Sequence, residues 1–220
     1  MPDTSVTIVC LPQDTPASRL AAEAADRLET TARRSLGSAG YFVATSRLHR
    51  SQLLQPWQGT AAGGPVHLLG LDAMRAAAWQ ACWHRWHVWY QVVGHTRPAQ
   101  PYWTSVDRHL DAPSKYPLRK AQEQYRAQPR IAAMLTYNAL PNRLTDLPSN
   151  HLEAFQAGAH SYAAFGWLAA VPGDGVLSLD RTYLGAVPGP YATQLAYLAE
   201  ANARINALHR RDRLVAVCTR

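Results

Sequence analysis

The sequence predicts a helix-rich α/β or α+β fold. A small sheet is expected from N-terminal, middle and C-terminal strands, covered by helices. Three observations predict this. Apolar runs rich in β-branched residues lie near both ends, Val6 to Leu11 and Leu214 to Cys218, and once between, at Val66 to Leu71. Apolar residues at spacings of three and four fill most of the remaining chain. Gly and Pro number 13 and 15 of 220 residues and punctuate these segments without any repeat, which excludes a collagen-like or linker chain.

The elements follow in order. Pro12 to Asp14 breaks the first strand, and Thr15-Pro16 is placed to cap a helix. Leu20, Ala24 and Leu28 give that helix an apolar stripe running to about Ser35, with Gly37 and Gly40 beyond it. Tyr41 to Ala44 reads as a strand, so the opening is β-α-β and a parallel pair is expected. A Gly/Pro-rich loop spans residues 55 to 65. After the strand at 66–71, Asp72 is placed to cap a long helix over 73–93. Residues 95–117 hold Pro98, Pro101, Pro113 and Pro117 and read as an irregular excursion with one helical turn near Val106 to Leu110.

Further on, a short helix is expected over Leu118 to Ala127. Pro129 pushes Gln128 out of the α region and opens a new helix to Leu140. Asn150 and Glu153 form a capping-box pair ahead of a helix reaching about Ala170. Pro172 to Gly175 is a turn. Val176 to Leu179 pairs with Thr182 to Leu184. A helix opens at Gly189-Pro190, with Glu200 and Arg204 one turn apart.

Hydrophobic residues make up 47% and charged residues 17% of the chain, an ordinary globular balance that excludes wholesale disorder. One globular domain over 1–220 is expected, large enough for a core without metal or disulfide. Cys10, Cys82 and Cys218 include no close pair, which fits a reducing, cytoplasmic setting. Met1 to Leu11 has no basic stretch and too short an apolar run for a leader, and no segment reaches the roughly 20 apolar residues of a membrane span. A soluble protein is therefore expected.

The net charge is +7. It is not spread evenly: residues 1–65 carry an excess of +1, residues 66–130 of +5 and residues 131–220 of +1. Within 95–130 the cations are Arg97, Arg108, Lys115, Arg119, Lys120, Arg126 and Arg130, interleaved with Tyr102, Trp103, Tyr116 and Tyr125. Guanidinium groups bind phosphate in two-pronged fashion and aromatic faces stack on bases, so this segment is the candidate surface for nucleic acid or an acidic partner.

A second cluster lies on the 73–93 helix. Trp79, Trp83, Trp86 and Tyr90 share one face and read most plainly as core. With His84 and His87 on the neighbouring face, Trp83 and Trp86 also outline the wall of a pocket. Two histidines one turn apart do not make a metal site without a third ligand, and no metal or other cofactor is called for. Phosphate-cradle, dinucleotide and nucleophile-elbow motifs are absent. Three readings follow. The first is a non-catalytic binder of nucleic acid or an acidic partner through 95–130. The second is a small-substrate enzyme using the Trp83, Trp86, His84 and His87 pocket. The third is an assembly protein using exposed tryptophan faces.

Overall fold

The computed structural model describes residues 5–45 and 48–220. Residues 1–4, on which part of the leader reading rests, lie outside them. In chain order the elements are β1 (Ser5–Leu11), α1 (Leu20–Glu29), β2 (Ser35–Ser38), β3 (Phe42–Val43), β4 (Thr60–Ala61) and β5 (Gly63–Pro65). Next come α2 (Leu71–Val93), α3 (Tyr102–Asp111), α4 (Leu118–Ala127), α5 (Pro129–Asn138), α6 (Leu152–Gln156) and α7 (Ala159–Ala169). The chain finishes with β6 (Gly175–Leu177), β7 (Tyr183–Gly185), α8 (Tyr191–Asn206) and β8 (Arg213–Thr219). Helices and a mixed sheet make this an α/β fold. Among the described residues no helix is long and apolar enough to cross a membrane. The chain packs as two compact units, one of residues 1–78, 167–187 and 195–220, the other of 79–166 and 188–194.

The first unit is built on a sheet of order β2-β8-β1-β6-β7. β1 and β8 pair antiparallel over seven positions, from Ser5 opposite Thr219 to Leu11 opposite Arg213. β1 also pairs parallel with β6, from Thr7 opposite Gly175 to Val9 opposite Leu177. Ile8, Val9, Cys10 and Leu11 point alternately to the two faces and are all buried, so both faces of β1 are covered, which is why Val6 to Leu11 reads as a continuous apolar run rather than an alternating one. Val9, Leu11, Val215 and Val217 pack with Leu20, Ala24 and Leu28 of α1. Burial pushes the Cys10 thiol up to about 12, with Asp212 adding to the effect, so it behaves as a small apolar side chain.

Four boundaries differ from the expectation. α1 stops at Glu29 because the hydroxyls of Thr30 and Thr31 donate to Arg27 O and Leu28 O, 2.7 Å each, taking acceptors near the helix end. Ser35–Ser38, where the sequence placed the helix end and its glycine stop, form a strand instead. Tyr41 to Ala44 does not join β1 in a parallel pair, since β3 pairs β4 in a separate two-stranded sheet. The middle strand lies at Gly63–Pro65, while Val66–Leu68 is a single 3₁₀ turn. Packing decides this last point: a Cβ on Gly63 would run into Leu214 O, so only a glycine backbone reaches the β8 edge there. Asp72 lies inside the first turn of α2 with its side chain exposed and pairs with Arg75 at 3.3 Å, so it does not cap the helix.

In the second unit, α6 and α7 take the place of the continuous helix expected from Asn150. Gly158 has φ +104°, which L side chains avoid, and it breaks the run. No side-chain cap forms at its start; the Glu153 carboxylate accepts from Tyr191 N instead, at 3.3 Å. The core is aromatic. Trp89 stacks on Phe155 at 5.1 Å between centroids, and Phe155 stacks on Tyr162 at 4.1 Å. Ile131, Met134, Leu147 and Leu152 of the same unit are buried as well.

The 95–117 excursion is tied down by side-chain amides. Gln156 binds both backbone groups of Ala99, at 2.8 and 3.0 Å, and Gln128 binds both of Gln100, at 2.6 and 3.0 Å. This anchoring lets the single helical turn foreseen at Val106 to Leu110 extend to the ten residues of α3.

Candidate functional site

α3 and α4 form a helical hairpin whose packing is thin and specific. α4 buries only Ala121 and Tyr125, one turn apart, and leaves the rest of its circumference to solvent. The Tyr125 ring meets Tyr102 edge-on at 5.3 Å, and its hydroxyl donates to Ser149 O at 2.6 Å. Burial, aided by the nearby Glu153 carboxylate, pushes the Tyr125 phenol up to about 12, so it stays a neutral donor. At the hairpin turn, His109 Nδ1 donates to Tyr116 O at 2.8 Å.

A cavity of about 600 Å³ opens beside this hairpin, in the size range of ligand sites. Tyr102, Trp103 and Tyr125 supply its aromatic wall, and Gln122 and Arg126 enter from α4. Glu153 faces it from α6, and Pro188, Gly189 and Gln194 close it from the segment entering α8. Spacing places Arg119, Gln122 and Arg126 on one face of α4, at i, i+3 and i+7. A row of polar and cationic side chains therefore runs along α4 into an aromatic cavity.

The structure sorts the sequence-predicted residues sharply. Tyr102, Trp103 and Arg126 come together at the cavity. Arg97, Arg108, Lys115, Arg119 and Lys120 are all exposed. Among the described residues, the acids opposing them on the hairpin make a single ion pair, Arg119 with Glu123 at 3.7 Å, between exposed side chains where such pairs contribute little. Tyr116 is buried, not a stacking platform; Arg108 and Lys120 lie over its ring at 5.5 and 5.6 Å. Arg130 is committed to the fold. Its guanidinium donates to Thr96 Oγ1, Thr96 O and Gln156 Oε1 at 3.1, 2.6 and 2.9 Å, and lies 5.4 Å from the Trp89 ring centroid.

The tryptophan helix is arranged differently from its simplest reading. Its buried side chains in this unit are Cys82, Trp89 and Val93, at i, i+7 and i+11, while Tyr90 is 56% exposed. The stripe of Trp79, Trp83, Trp86 and Tyr90 is therefore a flank rather than core. His84 and His87 are exposed, and Trp83 and Trp86 are half-buried; none of the four lines the 600 Å³ cavity. His87 Nδ1 donates to Trp83 O at 2.9 Å, and Trp86 stacks on Tyr90 at 5.1 Å and donates to Phe155 O at 2.9 Å. Among the described residues no group of three His, Cys, Asp or Glu is placed to hold a metal.

One buried polar chain lies apart from the cavity. Arg85 Nη1 donates to Tyr162 Oη at 3.4 Å, and Tyr162 Oη lies 3.2 Å from His151 Nδ1. A guanidinium can only donate, so the phenol accepts from Arg85, and Tyr162 Oη and His151 Nδ1 share a second hydrogen bond. Burial, with Arg85 adding to it, holds His151 down to about 4.

Sequence reasoning missed Glu153, Gln122 and Gln194 as cavity residues. Glu153 carried a local signal, but one that reads as a helix cap. No protein-family model matches the chain, and searches of curated proteins and of solved structures find no match either.

Proposed function

We propose that the chain binds single-stranded nucleic acid through the α3–α4 hairpin, with an unstacked base in the aromatic cavity and the phosphate backbone along α4. One observation carries this reading: the Arg119, Gln122, Arg126 face of α4 leads into the cavity walled by Tyr102 and Trp103. Arginines suit phosphate, and aromatic rings suit any base whose faces are free. A duplex keeps its bases stacked, so a concave aromatic site favours single strands or loops. Lys115 and Lys120 extend the positive surface. Arg108 belongs to it as well, its guanidinium held over Tyr116. Nothing in this arrangement asks for catalysis, and a cytoplasmic setting is in keeping with the cysteine usage. An acidic protein would meet the same cations without needing the cavity.

The test is fluorescence anisotropy with labelled single-stranded and duplex 12-mers at two salt concentrations. Binding should favour the single strand and weaken with salt, with a log–log slope of roughly −0.7 per phosphate contact. Arg119→Ala and Arg126→Ala should each lower the magnitude of that slope by about 0.7. No binding at low salt, binding without salt dependence, or a preference for duplex would overturn the proposal.

A further inference from the structure

The polar groups of the cavity are unequally committed. Tyr125 Oη is spent on Ser149 O. Gln194 gives one Nε2 proton to Gly189 O at 3.1 Å and keeps its second N–H and its Oε1. Glu153 Oε2 takes one backbone N–H, from Tyr191, and its Oε1 takes no hydrogen bond from the described residues. Gln122 and Asn150 also line the cavity with amides that both donate and accept, but Glu153 is its one carboxylate, with an acceptor oxygen to offer, while the cationic donor, Arg126, stands exposed. A ligand that fits brings N–H donors inward and negative charge outward.

We infer that the cavity is a guanine site, in which the Glu153 carboxylate accepts from the ring N1–H and the exocyclic N2 amine. This rests on the single-strand reading above. Among the common bases only guanine presents two adjacent donors on its Watson–Crick edge, matched to the two oxygens of one carboxylate. Adenine and cytosine set a ring nitrogen acceptor beside their amine, and that lone pair would face a carboxylate oxygen. Uracil and thymine present one N–H between two carbonyls. Tyr102 and Trp103 provide faces for any base, so the edge contact alone sets the choice. Glu153 is held for this role by the Tyr191 N–H and by its place in the first turn of α6.

The probe is a fluorescein-labelled thymidine 12-mer with one central guanine, adenine or cytosine, alongside the plain thymidine strand and the ribonucleotide counterparts. Guanine should bind about tenfold or more tightly than the other bases, the discrimination expected of a two-pronged contact. If the deoxy and ribo strands show the same ranking, the base is being read rather than the sugar. Inosine, which lacks the N2 amine, should lose several-fold on the unaltered protein, and 7-deazaguanine, changed on the other edge, should lose nothing. Glu153→Gln offers one acceptor and one donor, so guanine should fall to parity with adenine or below it while the salt slope stays the same. Equal, salt-dependent binding of all four bases would overturn the guanine site and leave the single-strand reading standing. Absence of binding to any strand would overturn that reading itself. A guanine preference that survives in Glu153→Gln, or with inosine, would remove Glu153 from the role.

Discussion

The two units hold their chain by different means. In the sheet unit the chain's first and last strands register over seven residue pairs, and the core beside α1 is aliphatic. Backbone hydrogen bonds and branched side chains supply the order. In the helical unit no strand forms; α3, α4 and α5 are ten residues each, too short to stand alone in water. There the order comes from stacked rings and from long polar side chains, Arg130, Gln128 and Gln156, that bind backbone groups of the 96–100 loop. The proposed binding surface lies on the more thinly packed of the two. The comparison teaches that in this protein one basic segment supplies both surface and scaffold: Arg126 faces a cavity, and Arg130, one turn later in sequence, is a structural clamp.

That contrast can be broken in several ways. Phe155→Ala removes the middle ring of the Trp89, Phe155, Tyr162 stack and should cost about 3–5 kcal/mol. Urea unfolding followed by tryptophan fluorescence reads it. Five of the seven tryptophans belong to the helical unit, so a midpoint shift equivalent to under roughly 1 kcal/mol would disprove the ring-based account.

His151 gives the next largest effect. Its folded-state pKa, about 4, is below the unfolded value near 6.5. The unfolded chain therefore takes up the proton first as pH falls. Stability should drop by about 3 kcal/mol between pH 6.5 and 4 and flatten below, on the rule of 1.36 kcal/mol per pKa unit. His151→Gln should remove this part of the pH dependence; an unchanged profile would refute the neutral buried histidine.

Arg130→Ala should cost about 1.5–3 kcal/mol through its lost charged hydrogen bonds. Arg126→Ala should stay within about 0.5 kcal/mol while weakening oligonucleotide binding. The same outcome for both would collapse the distinction between clamp and surface. The smallest effect is expected from Glu123→Gln. It should shift stability by less than about 0.5 kcal/mol and tighten binding at low salt by freeing Arg119 from its only ion-pair partner among the described residues.

Much of the fold was legible because its signals are local. The apolar runs of β1 and β8, the Val176–Leu184 hairpin and the proline that opens α5 each follow from a few adjacent residues. The misreadings share one cause, contacts between residues distant in sequence. Gly63 becomes strand because β8 admits no side chain there. Glu153 looks like a cap, yet its carboxylate is taken by Tyr191, 38 residues on. The tryptophan stripe looks like a core face, but α2 turns Cys82, Trp89 and Val93 inward instead.

The amino-acid sequence by itself determined the class of fold, the position of most helices, the excess charge of the middle third and the aromatic residues within it. Composition and short-range periodicity carry that information, since a helix or strand expresses its pattern over a handful of neighbours. Tertiary structure alone decided which cations face solvent, which arginine clamps a loop, and that Tyr102, Trp103, Arg126 and Glu153 share one cavity. Side chains some fifty residues apart meet only when packing selects one arrangement of helices, and no local spacing encodes that choice.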